Sequence, residues 1–280
     1  VDGVSWSERD QQVWDSIKAW KRDLYDYEAN DLEFTYVKWL DAAFAAVPEE
    51  VQESFFQRLD GWLFQLHSLI QGSQMQNDAK ERILSTARTF NPDIQVVDDL
   101  AALSIDQLHY IAEQHAGRHR LYSLVQGGIT GTGGLVALGS DLPAMAVINL
   151  RSIQLIAASY GCDVQTPFET MTSLKVFHAA TLPARLQAEA WEELLQDLES
   201  RGSTYFFDGS EQLTDYTWLE GTLKQSMKAL AISMFKGKKW SGLPLISMAI
   251  GAGSNYQLSR RITAFAEKYY QYRYLREKKS

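Results

Sequence analysis

The 280 residues carry 27 Lys and Arg against 35 Asp and Glu, a formal charge of −8, with 45% hydrophobic residues and six prolines. A chain of this size buries roughly three quarters of the surface its unfolded form exposes, and the composition excludes extended disorder, a collagen-like repeat and a disulfide-rich scaffold. Cys162 is the sole cysteine, so neither an intrachain disulfide nor a multi-cysteine metal site is available, which suits a reducing compartment such as the cytoplasm. The charge is unevenly spread: residues 236–280 hold ten Lys and Arg against two Glu, a net of +8, which leaves −16 on residues 1–235. The acidic body disfavours nucleic acid as a partner, while the basic end suits anionic lipid or an acidic protein, or else neutralises the body in cis. The opening VDGVSWSERDQQ has no basic stretch leading into an apolar one, so nothing argues for secretion.

In chain order, Ser7 and Asp10 cap a first amphipathic helix through Trp14, Ile17, Trp20 and Leu24 that ends before Asn30. Asp31 starts a second helix running to Val47, and Pro48 opens a third through Val51, Phe55, Leu59, Trp62 and Leu66. Residues 1–72 thus read as an antiparallel helical layer packed on the same core as the rest. Gly72 to Asn77, polar and glycine-bearing, reads as a linker. A short helix over 78–90 should stop at Asn91-Pro92, and Ser104 with Gln107 forms a capping box for a long helix that feeds a glycine-rich run.

That run is the centre of the chain. No residue between Leu121 and Ser140 is charged, and Gly127, Gly131 and Gly134 recur at i, i+4 and i+7, one face of a helix that lets another backbone come close. Ser140 and Asp141 read as N-cap oxygens of a second arm, with Pro143 in its first turn and Gly161 as its stop after Tyr160, so 121–162 reads as a helical hairpin. On an insertion scale, the seven Leu, Ile and Val of 121–140 contribute about −0.3 to −0.6 kcal/mol each, while Asp141 and Arg151 cost about 2.5 to 3.5 each near a bilayer centre. The balance favours a core hairpin of a soluble protein over a membrane span. Asp141 and Arg151 lie about 15 Å apart along one helix and cannot neutralise each other. Each needs a partner elsewhere, as a cap and an interior bridge or as two sides of a pocket for a polar group.

Thr166-Pro167-Phe168-Glu169 is a helix start, and Thr181-Leu182-Pro183 ends that helix and opens another through Trp191 and Leu198. Residues 201–214 form the longest irregular loop, carrying Tyr205, Phe206 and Phe207, and a helix follows to about Phe235. A second uncharged run, WSGLPLISMAIGAGSNYQLS, places Ser247, Gly251 and Ser254 on another small-residue face, so 240–276 reads as a second glycine-rich hairpin packed against the first. Tyr269, Tyr270, Tyr272 and Tyr274 read as a packing stripe. No alternating strand pattern is present. The expected fold class is all-α, a multi-helix single domain built around two glycine-rich helical hairpins, with 78–280 as its core.

Chemistry is hard to find. His115 and His119 have a metal-capable i, i+4 spacing but no third ligand nearby, and Cys162 has no local histidine to activate it. Asp98-Asp99 and Glu192-Glu193 read as helix-start and solvated-face charges. HExxH, GxSxG, a strand-borne GxGxxG and the P-loop are all missing. The reading is therefore no catalytic residue, no cofactor and no metal site.

The stretch GITGTGGLVALGSDLPAMAVINLRSIQLIAASYGCDV resembles the EcsC family of bacterial proteins, through Gly133, Gly134, Asp141, Leu142, Pro143, Ala144, Asn149, Leu150, Arg151, Tyr160, Gly161 and Asp163. A second similar patch is LPLISMAIGAGSNY, with Pro244, Gly251 and Asn255, leading to the basic-aromatic end around Tyr270 and Leu275. Cys162 stands where the family pattern reads YGYD, and the first thirty residues match less well. The resemblance implies a kinship with a protein encoded beside an ABC exporter linked to secretion and with a helical module on some membrane-associated bacterial GTPases, and no established enzymatic activity. The resulting expectation is a non-catalytic accessory protein, cytoplasmic and peripheral at the inner membrane face, that binds anionic lipid or a membrane protein of transport or secretion. The alternative is a hydrolase or lipid-modifying enzyme with an interhelical pocket. Asp141, Asn149, Arg151, Tyr160, Asn255 and Arg260 are the candidate pocket or partner-contact residues.

Overall fold

The computed structural model describes residues 6–25, 36–50, 52–53, 55–59, 61, 73–130, 134–182, 184–200, 224–232 and 244–279, and every regular element among them is helical. In order these are α1 (Glu8–Tyr25), α2 (Tyr36–Ala45), α3 (Ser73–Ala87), a 3-10 turn (Val97–Ala102), α4 (Ile105–Thr130), α5 (Gly134–Ser159), α6 (Pro167–Thr181), α7 (Ala184–Ser200) and α8 (Pro244–Lys279). Further helical residues lie within 49–61 and at 224–232. α4, α5 and α8 pack on one another as the central group; α1 and α6 lie against α8, α7 joins α1 to α6, and α3 rests on α4 and α5.

Local capping chemistry sets the boundaries. At the start of α1 the Ser7 amide donates to Asp10 Oδ2 at 2.8 Å and the Asp10 amide to Ser7 Oγ at 3.1 Å, the reciprocal pair the spacing predicts. The Ser104 and Gln107 pair does the same for α4, at 2.9 and 3.4 Å. Thr166 accepts from the Glu169 amide at 3.3 Å with Pro167 at the first position of α6. After α5 the Cys162 amide reaches back to the Ala157 carbonyl and the Gly161 amide to that of Ala158, a closure that needs the left-handed backbone (φ 86°) which Gly161 supplies.

Three expectations are corrected. α5 does not begin at Ser140-Asp141: it runs from Gly134 straight through Asp141 and Pro143, and residues 131–133 before it lie outside the described residues. A cap-and-proline signature is only a local preference, and helix already propagating from Gly134 outweighs the one backbone bond that Pro143 cannot donate. The region 240–276 contains no hairpin turn over its described part, since α8 is continuous for 36 residues from Pro244 at its first position. Gly251 and Gly253 each cost about 1 kcal/mol, but neither is a stop without a cap or a following proline. Gly72–Asn77 is no linker, because helix begins at Ser73; Gln74, Met75 and Gln76 are adequate helix formers and polarity alone ends nothing. The loop expected at 201–214 lies outside the described residues.

The core sits where α1, α6 and α7 close on the C-terminal half of α8. Trp191 is fully buried and meets Trp20, Phe265, Tyr269 and Tyr272 edge-on, with ring centroids 4.9 to 6.0 Å apart. Tyr269 and Tyr270 are buried beside it, so the tyrosine stripe is packing. Among the described residues no helix is long and apolar enough to cross a membrane.

Candidate functional site

At 100° per residue, positions nine apart on a helix lie on opposite faces. Arg151 and Tyr160 are so related, and α5 divides the motif residues accordingly. Asn149 and Tyr160 share one face. Asn149 is buried and its amide donates to the Met145 carbonyl at 2.8 Å, while the Tyr160 hydroxyl donates to Glu267 of α8 at 3.4 Å. Arg151, Gln154, Leu155 and Ala158 follow the other face at i, i+3, i+4 and i+7, and Cys162 continues it.

This second face floors a small cleft of about 20 Å³, partly open to solvent, walled by Ala79 and Lys80 of α3, Val97 of the 3-10 turn and the turn residues Asp163, Val164 and Gln165. Most of the lining is apolar. Two cations border it, Arg151 and Lys80. Burial first, and the charge of Arg82 second, lower the Arg151 pKa from the usual arginine range. The turn is held by its own contacts: Asp163 Oδ1 accepts from the Gln165 amide at 3.2 Å, and Gln165 Nε2 donates to Asn77 at 2.8 Å. Gln154 is only 3% exposed, and neither its amide nitrogen nor its oxygen has a hydrogen-bond partner.

A polar cluster lies on the far side of α5. Glu267 joins His109 of α4, Tyr160 and Gln271, and its bond to His109 raises the imidazole's pKa against the opposing effect of burial. Deeper in, Arg273 meets Glu169 through two contacts, at 2.6 and 2.8 Å, with side chains 4% and 2% exposed. The guanidinium also bonds Glu277 at 3.1 Å and lies over the Phe168 ring. Burial opposes its charge, yet the negative charge that Cys162 carries as a thiolate, together with the two carboxylates, leaves its pKa above the ordinary value. Lys278 reaches buried Asp10 at 2.8 Å, and Arg276 reaches Glu199 at 3.2 Å. Much of the basic C-terminal end thus neutralises the acidic body within the molecule.

These contacts also fix the register of the central helices. On α8, Tyr274 donates to the Leu103 carbonyl just before α4, and Glu267 meets both His109 and Tyr160. α8 therefore runs antiparallel to α4 and parallel to α5. The described contacts of α1, α6 and α7 with α8 lie at Arg261 and beyond: Arg261 to the Thr181 carbonyl, Phe265 to Trp20, Arg273 to Glu169.

Of the six residues singled out in the sequence, Arg151 lines the cleft and Asn149 and Tyr160 pack on the opposite face of α5. Arg260 is exposed, and the side chains of Asp141 and Asn255 lie outside the described residues. Lys80, Gln154 and Gln165 were missed; Gln154 had a signal, an amide three residues from Arg151 in an otherwise apolar stripe. Of the spaced histidines, His115 bonds Thr86 at 3.0 Å, and the side chain of His119 lies outside the described residues.

A model of the EcsC protein family matches residues 11–275. The chain belongs to the EcsC family. Over 130 residues this EcsC protein is 28% identical to the uncharacterized protein YdbA of Bacillus subtilis (strain 168), a stretch covering 46% of each chain, so the match spans about half the length of that curated relative. No solved structure matches the chain.

Proposed function

We propose that this EcsC protein is a non-catalytic, membrane-peripheral binding protein that rests one apolar helical end in a lipid surface, as an accessory to transport or secretion at the inner face of the membrane. One observation carries the reading: the register of α4, α5 and α8. Counting back from the Glu267 and Tyr274 contacts at one residue per residue, positions 121–130 of α4 run beside about 246–255 of α8, and 137–140 of α5 beside about 244–247, toward the same end. The described parts of the two uncharged runs, 121–130 with 134–140 and 244–259, so lie toward one end of the three-helix group.

The chemistry of that end limits its depth. Asp141 stands seven residues into α5, about 10 Å from the helix start at 1.5 Å per residue, so only a shallow apolar cap precedes the first charge. That is the depth at which interfacial helices settle at the headgroup and acyl boundary. Arg260 follows on α8, exposed, where a long basic side chain suits anionic headgroups. The C-terminal arginines and Lys278, already paired in cis, are not needed for the contact. The enzyme alternative asked Asp141, Arg151, Tyr160 and Asn255 to share one cavity, and Arg151 and Tyr160 face opposite sides of α5.

Vesicle flotation tests the reading. The protein should float with vesicles of mixed zwitterionic and anionic lipid and remain bound in high salt, because burial of apolar surface outlasts screening. Leu135→Asp with Val136→Asp should cut the bound fraction at least about tenfold, since each charge costs on the order of 1 kcal/mol or more near the interface. A folded wild-type protein that stays with the aqueous fraction at low salt overturns the proposal.

A further inference from the structure

The first half of α4 carries a second surface, remote from the apolar end. Thr86 bonds His115 at 3.0 Å and the Phe90 ring meets Tyr110 edge-on with centroids 5.7 Å apart, so the end of α3 runs antiparallel to α4 and the turn over 91–96 comes beside the first turn of α4. Both rings face solvent, Phe90 being 39% and Tyr110 54% exposed, and Val96 of the same turn is 50% exposed. Aromatic rings held in place yet left in solvent are the usual anchors of partner surfaces. The charge around them has one sign: residues 89–114 hold five Asp and Glu and no Lys or Arg. Asp99 is spent on the backbone amides of Gln95 and Val96, and Asp106 pairs with Arg9. Asp93 and Asp98 are exposed and have no ion pair among the described residues. Arg88, at the edge, is committed to Glu81 and to the Ile94 carbonyl.

An aromatic face among acids repels anionic lipid and nucleic acid and attracts a cationic protein segment. We propose that the face of Phe90 and Tyr110 docks a Lys- and Arg-rich cytoplasmic segment of a membrane-spanning partner. An arginine of that segment stacks on the Tyr110 ring, its apolar neighbours cover Phe90 and Val96, and Asp93 and Asp98 supply the opposite charge. Cytoplasmic loops of membrane proteins carry an excess of Lys and Arg, so the partner's location rests on the membrane reading above, whereas the preference for a basic segment does not. Along α4, Tyr110 stands about 17 to 30 Å from positions 121–130 at 1.5 Å per residue, beyond the Debye length of about 8 Å at physiological salt, so headgroup charge at the apolar end does not oppose these acids. The face is small, which suits a transient contact.

The experiment is fluorescence anisotropy of the full chain, without lipid, with a labelled peptide of alternating Arg and Leu and a comparator of alternating Glu and Leu. The Arg peptide should saturate and the Glu peptide should not bind. Tyr110→Ser should weaken the Arg peptide at least about fivefold with no change in net charge, through loss of the ring under the guanidinium. Asp93→Asn with Asp98→Asn should weaken it by a similar factor of about five. These side chains are exposed, so the variants should fold as the wild type does and melt within about 2 °C of it. Glu189→Gln with Glu193→Gln removes the same charge from exposed positions of α7 and should leave the affinity within about twofold. Absence of saturable binding by the folded wild type, full affinity in Tyr110→Ser, or a loss in the α7 control equal to that of the Asp93 and Asp98 variant each overturns the assignment. With no lipid present the two proposals fail separately: loss of docking leaves flotation standing, and loss of flotation leaves a basic-segment site whose partner need not span a membrane.

Discussion

The pair formed by Glu169 and Arg273 is the clearest place to test how the fold is held. Their side chains are 2% and 4% exposed and join the start of α6 to the C-terminal half of α8 through contacts at 2.6 and 2.8 Å. Arg273→Leu removes the cation and leaves a carboxylate in surroundings that cannot solvate it, a loss of about 3 to 5 kcal/mol. Glu169→Leu should cost somewhat less, because Arg273 keeps Glu277 at 3.1 Å. The double variant removes both charges from the interior and should recover most of the loss, since an apolar pair of similar volume often does no worse than a buried ion pair. Urea unfolding of the four proteins gives the coupling energy, and thermal unfolding should place Arg273→Leu roughly 10 °C below wild type at a few degrees per kcal/mol. A single-variant loss under about 1 kcal/mol, or a double variant that costs the sum of the two, refutes the reasoning.

Two histidines predict opposite pH slopes. Burial lowers the His178 pKa to about 4, so between pH 4 and about 6.5 the unfolded chain takes up a proton that the native state refuses. Stability should fall as pH drops through that window, by up to about 3 kcal/mol, and urea midpoints of His178→Leu should lack this dependence. The Glu267 bond raises the pKa of half-exposed His109, a contribution fully present below about 6.5 and lost as pH rises through the raised value. It should amount to under about 1 kcal/mol because solvent screens the pair, and His109→Gln should remove it. Gly161→Ala should cost about 1 to 2 kcal/mol in urea unfolding, since the left-handed backbone disfavours a Cβ although the nearest atom, the Val97 carbonyl oxygen, is an ordinary 3.5 Å away. A loss below a few tenths counts against that account.

The helix starts at Ser7, Ser104 and Thr166 and the stop at Gly161 were legible because each is decided by side-chain or backbone bonds within a few residues. The same local rules misplaced the start of α5, where Ser140, Asp141 and Pro143 imitate an N-terminus inside a helix that was already propagating. They also overread glycine: Gly251 and Gly253 weaken α8 without ending it. Glu169 was visible only as part of a cap. Its partner is 104 residues away, and nothing in a single chain links such positions. Arg151 was singled out because a charge in an apolar helix needs a partner, and it borders the cleft. Tyr160 was grouped with it by motif proximity, and the helical period separates them.

The most direct test of the membrane reading is the environment of the shared apolar end. An environment-sensitive fluorophore on Val136→Cys, in a Cys162→Ser background, should shift to the blue on adding mixed anionic vesicles and be quenched by lipids brominated in the upper acyl chain, while the same probe on Lys18→Cys of α1 should change in neither respect. Water-like emission from position 136 with vesicles in excess contradicts the account.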